Sequence, residues 1–158
     1  MILKTLTSLL SVRTAYAHCD IPCGIYDPHM AQVAAHTVVR MTQLILDTKG
    51  TDSKSIHNVS RMTHVKEEHA GRIEEELETL RNDYFKDEHF KEYPDLEELI
   101  KDTIDFASKA RQNIDMDVAL KALAGTQAIA EIFYKTKGVT PVRVKSVYPT
   151  LGEIVTYK

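Results

Sequence analysis

Cys19 and Cys23 stand four residues apart, with Asp20, Ile21 and Pro22 between them, Gly24 after them and His18 before them. They are the only two cysteines of the chain. Buried structural thiols belong on apolar stripes, whereas this segment reads as a Pro/Gly turn. A disulfide here would close so short a loop that it would add little stability. A redox pair is a second reading, but the usual redox spacing, Cys-x-x-Cys, is one residue tighter. Metal ligation is the third. Spacing alone leaves metal, redox and inert roles open.

The residues ahead of the pair bear on that choice. Residues 1–17, MILKTLTSLLSVRTAYA, carry Lys4 and Arg13, no acid, and end in the small-x-small pattern Ala15-Tyr16-Ala17. They read as a removable leader, cut after Ala17 by a processing protease. Lys4, Thr5, Thr7 and Ser8 interrupt the apolar stretch an export signal needs, so the expected compartment is the cytoplasm, with export the alternative if the leader acts as a signal. The cut would make His18 the new N-terminus. Its amine and imidazole, the two sulfurs and the Cys19 backbone nitrogen would then offer five donors in one short loop. A planar set of two nitrogens and two sulfurs suits Ni(II) or Cu(II), whereas zinc prefers a tetrahedron. The amine (~7.7–8) and the thiols (~8.5) must lose protons to bind, so metal capture should weaken in acid.

The elements that must hold this loop are helical. The chain has 158 residues, enough for one domain with a real core. From Pro28, the residues Met30, Val33, Ala34, Thr37, Val38, Met41, Leu44 and Ile45 recur at three- and four-residue steps. Asp27-Pro28 predicts the helix start and Gly50 a stop. A second helix is predicted from about Ser53 to Asn82, with Ile56, Val59, Met62, Val65, Ile73, Leu77 and Leu80 inward; Lys66–Glu68 and Glu74–Glu78 form its charged outer face. A third should start at Pro94, with Leu96, Leu99, Ile100, Thr103, Phe106, Ala107 and Ala110 inward. A fourth should run from about Asp115 to Lys137, using Met116, Leu120, Leu123, Ala124, Gln127 and Tyr134. Such helices on short connections predict an all-α, antiparallel four-helix bundle. The longer aromatic connection Asp83–Pro94 should pack on the bundle end. Val139, Val142, Val144, Val147 and Val155 make residues 138–158 an extended tail, packing on the body or on a neighbour.

Charge excludes some partners. Setting aside the two leader cations, and the three cations and one acid of the tail, leaves 15 basic and 22 acidic residues over 18–137, a net of −7. An acidic body argues against nucleic acid or an anionic membrane as the main partner. No apolar run reaches the ~18–20 residues that cross a bilayer. A di-iron bundle would need Glu-x-x-His on two helices, and none of the seven histidines has a Glu three residues before it. His57, Arg61, His64 and Glu68 share a helical face, which reads first as a solvated polar surface. His29 and His36 on the first helix read as surface or interface residues.

HCDIPCGIYDP, His18 to Pro28, resembles the nickel hook of nickel-dependent superoxide dismutases, which are made with a leader ending just before that histidine. Asp83-Tyr84-Phe85-Lys86, His89-Phe90 and Tyr93-Pro94 match the second loop of that family in order and spacing. The resemblance spans 18 to about 137, which sets the expected divisions: leader 1–17, hook and bundle 18–137, and a tail 138–158 of no recognised role. It implies disproportionation of superoxide at one nickel ion per subunit, cycling between Ni(II) and Ni(III). The ligands implied are the His18 amine, the Cys19 amide nitrogen and the thiolates of Cys19 and Cys23, with the His18 imidazole axial in the oxidised state. Tyr26 would stand over the open face as a gate, supported by Tyr84. Asp20 and Pro22, the latter after a cis peptide bond, would shape the hook. A homohexamer with hooks docked on neighbouring subunits is also implied.

Two positions depart from the pattern. Where the family carries a Glu in the first helix and an Arg in the second to hold the axial imidazole, ungapped counting places Ala34 and His69; His69 or Glu68 would have to serve instead. Lys86 is a candidate for local positive charge, with an exposed loop lysine as its plain alternative. The competing function is a non-catalytic nickel- or copper-binding helical protein that uses the same N-terminal site without needing Tyr26 or Tyr84. A structural bundle with an accidental cysteine pair would bind no metal.

Overall fold

Asp27 and Pro28 start the first helix, but one residue later than their order suggests. In the computed structural model, which describes residues 23–158, helix α1 spans His29–Asp47 with Pro28 in the cap position. Asp27 Oδ1 reaches past Pro28 to accept the His29 N–H at 2.7 Å. The helix ends at Asp47, short of Gly50. Gly50 serves the next element, because a side chain there would collide with Ser55 and Asp52. Asp52 caps α2 (Ser53–Thr79), its Oδ1 accepting the N–H groups of Lys54 and Ser55.

At its end α2 widens into a π-helical turn, Leu80–Tyr84, closed by the Phe85 N–H on the Leu80 carbonyl at 2.8 Å. The aromatic connection then forms a short helix, α3 (Asp87–Glu92), where a loop was expected. The third long helix, α4, spans Leu96–Gln112, so Pro94 lies in the turn before it. Helix α5 spans Met116–Thr136, and Asp115 accepts the Val118 N–H as its cap. Helix α1 packs on α2 and α5, and α4 packs on the same two, which closes an up-and-down four-helix bundle. Ala35, Val38, Ile73, Leu77, Ile100, Ala107 and Ile129 fill its axis.

The inward face of α4 matches its periodicity, with Leu96, Ile100, Thr103, Ala107 and Ala110 buried. Helix α5 matches only in part: Leu123, Gln127 and Tyr134 are buried as expected, but Leu120 and Ala124 are exposed, and Ala119, Ala122, Thr126, Ile129 and Phe133 also face the core. This helix is apolar around much of its girth, so the close approach of Thr103 at Gly125, where a Cβ would clash, settles its rotation rather than its pattern. In α2 the expected core residue Ile56 is exposed and Val59 and Met62 are half-buried, because this 27-residue helix overhangs the 17-residue α4.

Lys66, expected on the outer face of α2, is buried to 1% exposure. Its ammonium donates to the carbonyls of Ala110, Arg111 and Asn113 and so closes the C-terminus of α4. Glu74, also expected outward, is half-buried and paired with Arg111 at 3.3 Å. The tail packs on the body as an antiparallel hairpin of β1 (Pro141–Lys145) and β2 (Glu153–Tyr157), lying against α5 and α1. It also explains why His36 is buried rather than on the surface: the hairpin covers it.

Candidate active site

The start of α1, the end of α2 and the end of α5 meet at one end of the bundle, and the cysteine segment enters there. Cys23 is exposed just before α1, and its sulfur accepts the Ile25 N–H at 3.5 Å. Gly24 turns the chain at φ +70°, a conformation that favours glycine. His18, Cys19, Asp20 and Pro22 lie outside the described residues, so Cys23 is the one expected ligand with a described position.

Tyr26 and Tyr84, far apart in sequence, are brought into ring contact at 5.6 Å between centroids. The π-helical turn puts Tyr84 there, a distortion that often marks functional positions. The Tyr84 ring packs on Phe133 at 4.6 Å and stacks on His89 at 5.6 Å. Its hydroxyl lies 2.7 Å from Thr136 Oγ1, and Thr136 donates to the Phe133 carbonyl at 2.7 Å. Since the threonine proton is committed to that carbonyl, the Tyr84 hydroxyl is the donor in their bond. Burial raises the Tyr84 phenol above its ordinary range and keeps it neutral at physiological pH.

A cation that the sequence reading did not single out sits at this cluster. Lys137 Nζ lies 4.6 Å from the Tyr84 ring centroid and 5.5 Å from that of Phe133. Its signal in the sequence is position alone: it follows Phe133 by one helical turn at the end of α5. Lys86, the expected candidate, bonds through Nζ to the Asp83 carbonyl at 2.6 Å, while its backbone N–H is capped by His89 Nδ1. Beside Tyr26, an open cleft of about 280 Å³ is lined by Asp27, Phe133, Tyr134, Lys137 and Tyr157. Burial, followed by the Asp27 charge, pushes the Tyr134 phenol up to about 12.

The remaining polar candidates resolve simply. Among the described residues no group of three or more His, Cys, Asp or Glu side chains could hold a metal ion, so His57, His64 and Glu68 are not assembled as ligands. Glu68 pairs instead with Arg72 on the solvated face of α2. Ala34 is buried in the core, and His69 Nδ1 donates to the Val65 carbonyl of its own helix at 2.9 Å.

The family model described as nickel-containing superoxide dismutase matches residues 13–137. The nickel superoxide dismutase of Streptomyces coelicolor is 37% identical over 124 residues, 78% of this chain and 91% of that protein. Its counterpart from Streptomyces seoulensis is 36% identical over 121 residues, covering 77% and 88% respectively. The 1.30 Å structure of native nickel superoxide dismutase superposes with a TM-score of 0.69 at 36% identity, over 76% of this chain and 99% of that one. The matched family region stops at Lys137, and the hairpin tail lies beyond it.

Proposed function

The chain belongs to the nickel-containing superoxide dismutases, and on that premise we propose that its chemistry is carried by a hook from His18 to Tyr26. The enzyme is an oxidoreductase that uses nickel and disproportionates superoxide to oxygen and hydrogen peroxide. The observation that carries the hook reading is the Tyr26–Tyr84 contact beside an exposed Cys23, which gathers both expected gate residues at the root of the cysteine segment. The donor chemistry fits the metal: soft thiolates and nitrogen donors suit nickel, and the N–H donated to Cys23 Sγ suits a thiolate ligand.

His18, Cys19 and Cys23 would hold nickel, which supplies a one-electron couple when bound. Around it, the chain selects what arrives. Tyr26 narrows access, and Tyr84 braces the Tyr26 ring while Thr136 and Phe133 fix Tyr84 in turn. Lys137 supplies positive charge at the gate of a protein whose body is acidic, which matters for a small anionic substrate. Tyr84 stays a neutral phenol and adds no repelling charge.

Residues 1–17 are proposed as the leader whose removal frees the His18 amine, in a protein retained in the cytoplasm. A homohexamer is the proposed assembly; the half-buried Met41, Leu44 and Met62 and the exposed Ile56 supply apolar surface for it. The test is nickel content by elemental mass spectrometry on protein cut between Ala17 and His18. About one nickel per chain is expected, falling to near zero in the uncut chain and in Cys19→Ser or Cys23→Ser, with helix content unchanged. Equal nickel before and after cleavage, or turnover retained in either serine variant, would overturn the hook assignment. Stoichiometric nickel without turnover would favour the non-catalytic metal-binding reading.

A further inference from the structure

Residues 138–158 lie beyond the family match, yet the bundle is built to receive them. Gln32, wholly buried on α1, donates from Nε2 to the Val155 carbonyl at 3.0 Å and accepts the Val155 N–H on Oε1 at 2.8 Å. Its amide thus replaces a neighbouring strand. His36, one turn on, uses both ring nitrogens: Nε2 donates to the Glu153 carbonyl at 2.9 Å and Nδ1 meets Thr150 Oγ1 at 2.8 Å. Gln127 on α5 donates to the same Glu153 carbonyl at 2.6 Å and accepts from Arg143 of β1 at 3.0 Å. Merely covering this face would need only apolar side chains. Paired polar groups instead fix register, since a one-residue slip would break the Gln32 pair and turn Val155 outward.

Register decides where the open end of the hairpin falls. The Pro141–Tyr157 pair, closed by the Lys158 N–H on the Thr140 carbonyl at 3.0 Å, lies by the end of α5 that carries Phe133, Tyr134 and Lys137. The Tyr157 ring rests 5.1 Å from that of Tyr134. Both tyrosines line the same open cleft as Tyr26 and Asp27. The tail therefore leaves the bundle beside this cleft and returns to complete it.

The geometry points to Tyr157 as a positioning residue: packed on Tyr134, it holds the wall of the cleft that Tyr26 and Asp27 also line, so the tail governs how firmly the root of the cysteine segment is held and how long nickel is retained. This inference rests on the hook reading above. A hook hung from a fixed root keeps its donors close to the ion after any one bond opens, whereas a loosened root lets them disperse.

The experiment follows nickel loss to excess EDTA from the processed, nickel-loaded full chain, with melting temperatures recorded alongside. Loss of the ring in Tyr157→Ala is expected to speed release roughly tenfold, with Tyr157→Phe restoring it to within about twofold of wild type. Tyr157→Leu, which keeps apolar bulk, should still release faster than wild type if the aromatic contact is what counts. Val144→Ala, on the exposed side of β1, should not change release. Release from Tyr157→Ala at the wild-type rate would overturn the inference. So would faster release from all variants in simple proportion to lost melting temperature. A processed wild-type chain that takes up no nickel would overturn the hook reading itself, a result distinct from either.

Discussion

The Tyr84 hydroxyl donates to Thr136 Oγ1 across 2.7 Å, tying the Tyr84 ring to the last turn of α5. In the proposed reading, that bond steadies the ring against which Tyr26 packs. Tyr84→Phe should keep the ring packing on Phe133 and Tyr26 while losing about 1 kcal/mol of stability. Nickel content should stay the same. Saturation by superoxide and inhibition by azide should shift in Tyr84→Phe and in Tyr26→Phe, and the double variant should deviate from additivity because the two rings touch. Unchanged anion kinetics in both single variants would remove the gate role.

Lys137 yields a prediction about ionic strength. Its ammonium sits over the Tyr84 ring, and the residue lines the cleft beside Tyr26, within a chain of net charge −3. Lys137→Gln should lower kcat/KM for superoxide several-fold at low salt, and the gap should narrow as salt approaches ~0.15 M, where the screening length is about 8 Å. Stopped-flow rates across a salt series would read this directly. Lys86→Gln should do less, because the Lys86 ammonium is bonded to the Asp83 carbonyl. A larger effect at Lys86 would reverse the assignment.

Glu74 gives the pH dependence. Its Oε1 is buried without a hydrogen-bond partner, and burial raises the carboxyl above its ordinary value despite the Arg111 charge. The folded state then holds the proton more tightly than the unfolded chain. The stability that proton contributes is complete below the unfolded value and is lost as pH rises through the folded one. Glu74→Gln should therefore melt above wild type at about pH 7, and the two should converge near about pH 4. A variant less stable at neutral pH would show that the Arg111 pair outweighs the cost of burial.

These groups also show which features are legible in a sequence. The hook segment and the Asp83–Lys86 motif stand out because their chemistry depends on local order. Periodicity located the four long helices because each must bury a stripe, and α4 follows its stripe closely. The rotation of α5 is legible only in part: Leu123, Gln127 and Tyr134 face inward as expected, but apolar residues surround the helix, and Gly125 against Thr103 chooses the face. The partners of His36, Gln32 and Lys66 lie in distant segments, so their burial depends on where the tail and the end of α4 arrive. Lys137 is inconspicuous for the same reason, since nothing local distinguishes it from any terminal helix lysine.

Lys66 offers the sharpest test of such a distant pairing. Its three ammonium protons meet three carbonyls, those of Ala110, Arg111 and Asn113, the latter two at 3.0 and 2.9 Å. The last carbonyls of a helix have no intrahelical partners; Asn113 serves that of Lys109 through its N–H and side-chain amide, and Lys66 serves those that follow. Lys66→Met keeps length and apolar stem but leaves those acceptors unsatisfied, at an expected cost of about 3 kcal/mol in denaturant unfolding. Lys66→Arg keeps the charge, but its planar fork cannot reproduce a three-way ammonium contact, so it should rescue only part. Hydrogen exchange should quicken at the α4–α5 junction in both. Because this junction lies at the opposite end of the bundle from Tyr26 and Tyr84, activity per bound nickel should remain at the wild-type level. Loss of activity per nickel in Lys66→Met would show that the two ends are coupled through α4 and α5.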